Sequence, residues 1–305
     1  MLNHLQYRLS GTMAEDLLPV CGEEILHVSN LSVNRSGNEV IQDINMSITC
    51  GEFVGIVGPN GGGKSTLILA ILGLLKPRTG HINVYGKTPM SKATIGRIGW
   101  VPQAATELPH NLRITVKEFI QLGLLSNNFL KQYLDFLISP PAFFKQRKKN
   151  QIKVDKIIET VGLKQYANTM ISNLSGGQRQ RAAIGKALAS EADLLLMDEP
   201  MVGVDVDSRN SIMRLLDNLC HEQNKTIVMI SHDLASMKRT AHRMIYLEHK
   251  IRYDGTTEDF PDLSSLAELR GIEATHMEAD SAKSNVTKSD DVVIIVSPDI
   301  EGGES

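Results

Sequence analysis

Nine consecutive residues, Gly58-Pro59-Asn60-Gly61-Gly62-Gly63-Lys64-Ser65-Thr66, limit what this chain can fold into more than any other stretch. Phe53-Val54-Gly55-Ile56-Val57 precedes them, short, apolar and β-rich. Leu67-Ile68-Leu69-Ala70-Ile71-Leu72 follows with the composition of a buried helix. A strand that turns through glycines into a helix is the setting a phosphate-binding loop requires. Each glycine removes a Cβ, so successive backbone N–H groups converge on phosphate oxygens, and the positive end of the next helix adds to that field. Lys64 supplies a point charge for the β- and γ-phosphates, and the Ser65 hydroxyl is placed to ligate Mg²⁺. These residues predict a site for a nucleoside triphosphate.

Leu194-Leu195-Leu196-Met197-Asp198-Glu199-Pro200 reads as a buried strand ending in two carboxylates. Such an end lies at the carboxyl edge of a parallel sheet, where ligands of α/β proteins sit. Asp198 is positioned to hold a Mg²⁺ shell, and Glu199, one residue on, is free to orient or deprotonate a water. In Leu174-Ser175-Gly176-Gly177-Gln178, Ser175 is a candidate N-cap and the glycines expose N–H groups at a helix start. On the residues alone, this is either an ordinary capped turn or a second anion site.

Around these motifs the chain alternates strand and helix, which predicts a mostly parallel, covered sheet. Strands are expected at 25–33, 44–48, 81–85, 98–101, 194–197 and 226–230, with a terminal hairpin over 243–247 and 251–253. The helix after the loop is expected to run to Lys76-Pro77, and 208–220 is expected to be helical. Residues 104–190 form a helical block, with a helix over Thr115–Leu125 capped by Thr115 and another over Val154–Val161 closed by Gly162. Residues 126–150 read as an insertion: Phe129–Ile138 is amphipathic, Pro140-Pro141 stops it, and Lys145, Arg147, Lys148 and Lys149 form a solvated basic loop. Contact of that loop with anionic lipid is the alternative. Residues 1–23 are a loose extension, with Met13 an alternative start, 24–262 the main domain, and 263–305 an acidic tail that is expected to be partly disordered.

The net charge of −3 gives no reason to expect a nucleic-acid partner. Cys21, Cys50 and Cys220 share no metal-ligand spacing and fit a reducing compartment. Neither a secretory leader nor an apolar run of about 20 residues is apparent, so action at a membrane would be from its surface, through a partner.

Leu-Ser-Gly-Gly-Gln set between a phosphate loop and a Leu-Leu-Leu-Met-Asp-Glu-Pro strand resembles the nucleotide-binding subunits of ABC transporters. The likeness spans about residues 25–260 and includes Gln103 after Gly99-Trp100-Val101-Pro102, the Gly203-Val204-Asp205 loop, and His232 in Ile230-Ser231-His232-Asp233. The resemblance implies an α/β P-loop cassette: a mostly parallel core sheet, an antiparallel β region and an inserted helical subdomain. It also implies ATP and Mg²⁺, with Ser65, Gln103 and Asp198 around the cation and Glu199, His232 and Lys64 carrying catalysis. ATP on Gly58–Thr66 of one copy would be covered by Ser175, Gly177 and Gln178 of a second copy, head to tail. Arg35 stands where the family usually has an aromatic residue that stacks on adenine, and a guanidinium plane can also stack on a base.

A single cassette without membrane spans is similar to importer subunits, which implies a separate permease, an extracytoplasmic substrate-binding protein and a place on the cytoplasmic face of the membrane. Ala70–Pro77, Glu199–Asp205 and Thr115–Glu118 resemble the zinc/manganese importers. An iron-siderophore importer would use the same motifs, and a soluble single-cassette assembly ATPase is the rival from another class. Paired-cassette translation factors need a second phosphate loop, and chromosome-maintenance ATPases a long coiled coil.

Overall fold

Every residue of β3 (Phe53–Val57), β6 (Leu194–Asp198) and β7 (Thr226–Ile230) is buried. Apolar runs with no polar face belong inside a sheet covered on both sides. The computed structural model of the protein builds that sheet, and describes residues 22–91, 93–94, 96–103, 113–126 and 140–261. With β5 (Ile98–Val101), β8 (Arg243–Glu248) and β9 (Lys250–Thr256), these strands run in the order β5-β6-β7-β3-β8-β9. All neighbours pair in parallel except β9, which returns antiparallel to β8. At the start of β6 and β7, Lys225 Nζ donates to Asp193 Oδ1 at 2.9 Å, and the Thr226 N–H to the Asp193 carbonyl at 2.8 Å.

A second sheet is antiparallel, in the order β2 (Asn38–Thr49), β1 (Glu24–Arg35), β4 (Thr79–Val84). Between the sheets lies α1 (Lys64–Ile71), whose Leu67, Ile68 and Ile71 join Leu26, Leu31 and Ile41 of the antiparallel sheet and Val54, Ile56 and Leu196 of the parallel sheet in one core. The opposite face of β3 meets α6 (Leu234–Thr240): a Cβ on Gly55 would collide with the Met237 side chain.

The helical part comprises α2 (Val116–Gln121), α3 (Pro140–Thr160) and α4 (Gly176–Ala189). They pack closely enough that a Cβ on Gly185 of α4 would lie 2.9 Å from Ile120 of α2 and 3.5 Å from Ile157 of α3. Following β6, α5 (Val206–Gln223) is capped by Asp205, whose Oδ1 accepts from the Ser208 N–H at 2.9 Å.

Three expectations about helices are corrected. The helix after the loop ends at Ile71 rather than at Lys76-Pro77, because Gly73 adopts φ 76° and turns the chain while Leu74 N–H reaches back to the Leu69 carbonyl. Pro140 and Pro141 belong to a helix described from Pro140 onward, and the Phe129–Ile138 segment they were expected to stop lies outside the described residues. That helix is described from Pro140 to Thr160, so the helix expected over Val154–Val161 is only its last part and ends at Thr160, and Arg147, Lys148 and Lys149 lie exposed on a helix rather than in a loop. The helix from Thr115 leaves α geometry at Gln121 and finishes as a 3₁₀ turn over Leu122–Ser126. The extension at 1–21, with Cys21, the Phe129–Ile138 helix and the tail from 263 lie outside the described residues.

Thr115 closes a full capping box: its Oγ1 accepts from the Glu118 N–H at 3.2 Å, and Glu118 Oε2 accepts from the Thr115 N–H at 2.8 Å. Thr115→Ala should lower stability by about 1 kcal/mol and Thr115→Ser by far less, read as shifts in the urea midpoint of the full chain.

Candidate active site

Four neighbouring parallel strands end in a row, and each end delivers a functional group. In the order β3, β7, β6, β5 these are the loop from Gly58, His232, Asp198 with Glu199, and Gln103. Adjacent strands lie about 4.8 Å apart, so side chains from their ends meet without any long loop. Of these, His232, Glu199 and Gln103 line one cleft of about 480 Å³, together with Asn60, Gly61, Gly63, Lys64, Ser65 and Thr66 of the loop and Arg35 and Val40 from β1 and β2, whereas Asp198 does not line it. That volume suits a small-molecule ligand, for which about 300–1,000 Å³ is usual.

The loop's glycines answer to specific neighbours. Gly58 has φ 148°, and a Cβ there would collide with the Leu247 carbonyl of β8. Gly63 has φ 98° and lies against Ile41 of β2 in the same way. The loop is thus seated between the two sheets. Lys64 is buried and donates to the Gly58 and Pro59 carbonyls at 2.9 and 2.8 Å. Burial holds its ammonium below the usual lysine range, against the opposing pull of Glu199 and Asp198.

Asp198 closes β6 almost completely buried. Burial pushes its carboxyl above the usual range; the Ser65 hydroxyl hydrogen-bonded to it pulls the other way, and the charge of Glu199 adds to the rise. Its Oδ1 is buried without a hydrogen-bond partner among the described residues. A buried carboxylate oxygen lacking a donor, with a serine hydroxyl on the same group, is a donor set that fits a hard divalent cation.

Glu199 leaves the strand at φ 48°, a left-handed conformation uncommon for a side chain of this size, and its N–H donates to the Ile230 carbonyl at 3.1 Å. The turn aims its carboxylate into the cleft. There Oε1 pairs with His232 Nε2, and Oε2 accepts from Gln103 Nε2 at 3.3 Å. Glu199 is therefore held from both sides, where the residues alone had left it free. Gln103 spends its nitrogen on Glu199, so Oε1 is the atom left to serve as a ligand.

The expected Ser175, Gly177 and Gln178 do not line this cleft. They form the start of α4, where Ser175 Oγ accepts from the Gln178 N–H at 3.3 Å and Gln178 Oε1 accepts from the Ser175 N–H at 2.9 Å. Gly177 faces Ser208 of α5, 2.6 Å from where its Cβ would be to Ser208 Oγ, and Gly176 faces the Gly203 carbonyl at 2.9 Å. Two contributors gave no warning in the sequence. Val40 is an ordinary strand residue, and Arg209, which donates to the Val204 carbonyl at 3.4 Å and to Asp233 Oδ2 at 3.5 Å, ties the 203–205 loop to the His232 segment.

A model of the ABC transporter family matches residues 41–202, which takes in the loop, Gln103, Ser175–Gln178 and Glu199. The chain belongs to the ABC transporter family. This ABC protein is 30% identical over 266 residues to the zinc uptake system ATP-binding protein ZurA of Listeria monocytogenes, across 85% of this chain and 99% of that protein. It is 33% identical over 258 residues to the manganese transport system ATP-binding protein MntB of Bacillus subtilis, across 83% and 95%. Among solved structures it resembles the dimeric post-hydrolysis state of the ATP-binding cassette MJ0796 bound to ADP and Pi, with TM-score 0.62 and 28% identity over 77% of this chain and all of that one. The chain is a nucleotide-binding, ATP-hydrolysing cassette.

A carboxyl raised in the folded state makes the protein less stable as pH rises through that raised value, and the effect vanishes below the unfolded value. Asp198→Asn should therefore raise the thermal midpoint of the nucleotide-free ABC protein near pH 7, with the gain shrinking as pH falls toward about 4, while hydrolysis is lost. Differential scanning fluorimetry and phosphate release measure the two arms.

Proposed function

We propose that this chain is the ATP-hydrolysing subunit of an importer that moves a divalent metal ion, zinc or manganese, through a separate membrane permease. What carries the cargo reading is the nearly end-to-end likeness to proteins named for zinc uptake and manganese transport, 99% and 95% of their lengths. An extracytoplasmic binding protein would deliver the metal. In this reading the chain sits peripherally on the cytoplasmic face of the inner membrane; among its described residues no helix is long and apolar enough to cross a membrane.

In this reading the chain works as a head-to-tail pair. The cleft offers Lys64, the loop N–H groups and His232 to the phosphates, while the start of α4 with Ser175, Gly177 and Gln178 faces elsewhere in the same chain. A second copy would bring its own α4 over the nucleotide, which explains why one chain carries two anion-binding helix starts. The likeness to a dimeric cassette supports the arrangement. Gly58–Thr66 grip the triphosphate, and Arg35 stacks on the base. Asp198, Ser65 and Gln103 would hold Mg²⁺, which when bound neutralises charge between the β- and γ-phosphates. Glu199 orients the attacking water and accepts its proton, and His232, paired with Glu199, contacts the γ-phosphate. Catalysis of this kind is positioning plus charge stabilisation.

Glu199→Gln should keep ATP binding, lower turnover by about 10²-fold or more, and accumulate an ATP-bound dimer on gel filtration. Ordinary steady-state hydrolysis in that variant would sink the assignment. Deleting the gene should abolish high-affinity uptake of radioactive zinc or manganese. Intact uptake of both, with loss of siderophore-bound iron uptake instead, would move the cargo to the rival importer class.

A further inference from the structure

His249 is the single residue between β8 and β9, at φ 57°. It makes three hydrogen bonds to two different parts of the nucleotide cleft. Its N–H donates to the Gly62 carbonyl of the phosphate loop at 2.9 Å. Its ring Nδ1 meets the Val40 carbonyl at 2.9 Å, and a carbonyl partner makes that nitrogen the one carrying the proton. Its own carbonyl accepts from the Gln42 N–H at 2.8 Å.

Each bond has a geometric consequence. A trans peptide points its C=O and N–H in opposite directions. Anchoring the Gly62 carbonyl on His249 therefore turns the Gly63 N–H the other way, and Gly63 lines the cleft. Val40 and Arg35 line the wall that β1 and β2 supply, and Val40 and Gln42 both hang on His249. The turn thus joins the phosphate side of the cleft to the opposite wall, and only a ligand that spans both sides depends on that spacing.

We infer that His249 is a positioning residue for nucleotide binding, setting the separation between the phosphate loop and the β1–β2 wall through its bonds to Gly62 and Val40. It touches no nucleotide atom in this role. Its side-chain bond survives protonation, since neutral Nδ1–H and the imidazolium both donate to Val40. The inference rests on the nucleotide reading of the cleft.

Three variants of the full-length chain separate the bond from the backbone. His249→Gly keeps the left-handed turn and loses the donor. His249→Asn keeps both, because asparagine tolerates positive φ and its amide nitrogen takes the place of Nδ1. Lys64→Ala is the control that removes phosphate binding itself. By calorimetry, His249→Gly should weaken ATP binding by roughly three- to tenfold, the scale of one hydrogen bond, and His249→Asn should restore it. Inorganic tripolyphosphate, which engages the loop alone, should bind His249→Gly and the unaltered chain equally, and should lose affinity in Lys64→Ala. Unchanged ATP affinity in His249→Gly would overturn the inference. So would an equal loss for tripolyphosphate, which would make His249 a support of the loop only. Failure of the unaltered chain to bind ATP would instead strike the nucleotide reading.

Discussion

The phosphate loop has no core of its own, and its shape depends on how closely it lies against the backbone of β8. Gly58 and Gly62 both approach the Leu247 carbonyl, and neither could carry a Cβ without displacing it. On the other side Gly63 lies against Ile41. The loop is glycine-rich for two separate reasons: its N–H groups need access to a ligand, and its backbone must fit between two sheets. Strand β8 comes nearly two hundred residues after the loop, so the site is finished only when the end of the cassette has folded onto its beginning.

The charges are arranged around that seat in a way that leaves them unsettled within one chain. Burial pushes Lys64 toward losing its proton and Asp198 toward keeping one. Each also feels the other, and Glu199 acts on both. A polyanion beside Lys64 and a cation beside Asp198 would reverse both tendencies together, so ligand binding draws on a strain of solvation that the fold has already accepted. Glu199 is treated differently. Its carboxylate is fixed by His232 and Gln103 from neighbouring strand ends, which gives it one orientation at the cost of a left-handed backbone.

The parts of the molecule legible in its sequence are those where one local rule dominates. The runs at Phe53–Val57 and Thr226–Ile230 could be read to the residue, because a short, β-rich and almost wholly apolar run has few other uses. The caps at Thr115 and Ser175 were legible from a hydroxyl followed three residues later by Glu118 or Gln178. Where two rules compete, the reading failed. Pro77 is a visible stop, but the left-handed turn at Gly73 acts first. The seven residues of α6 are too few for a helical period to register. Contacts such as those of His249 carry no sequence signal, because a lone histidine in a turn becomes informative only when Gly62 and Val40 are seen beside it.

A strand buried on both faces poses a problem of alignment. In β6 and β7 every side chain is covered, whichever face it points to, so a slip of one residue would forfeit little apolar burial. It would, however, move Glu199 into the place of Asp198, or Asp198 into that of Glu199, so the roles proposed for the two acids would be lost. Such a protein would be well packed and inert. What forbids the slip is polar and sits at the two ends. Asp193 is held by Lys225 and the Thr226 N–H before the strands begin, and the Glu199 N–H is held by the Ile230 carbonyl after they finish. Each of these few bonds adds only about 1 kcal/mol by the usual scale of single hydrogen bonds. Their larger contribution is fidelity, since they decide which of two adjacent acids lines the cleft.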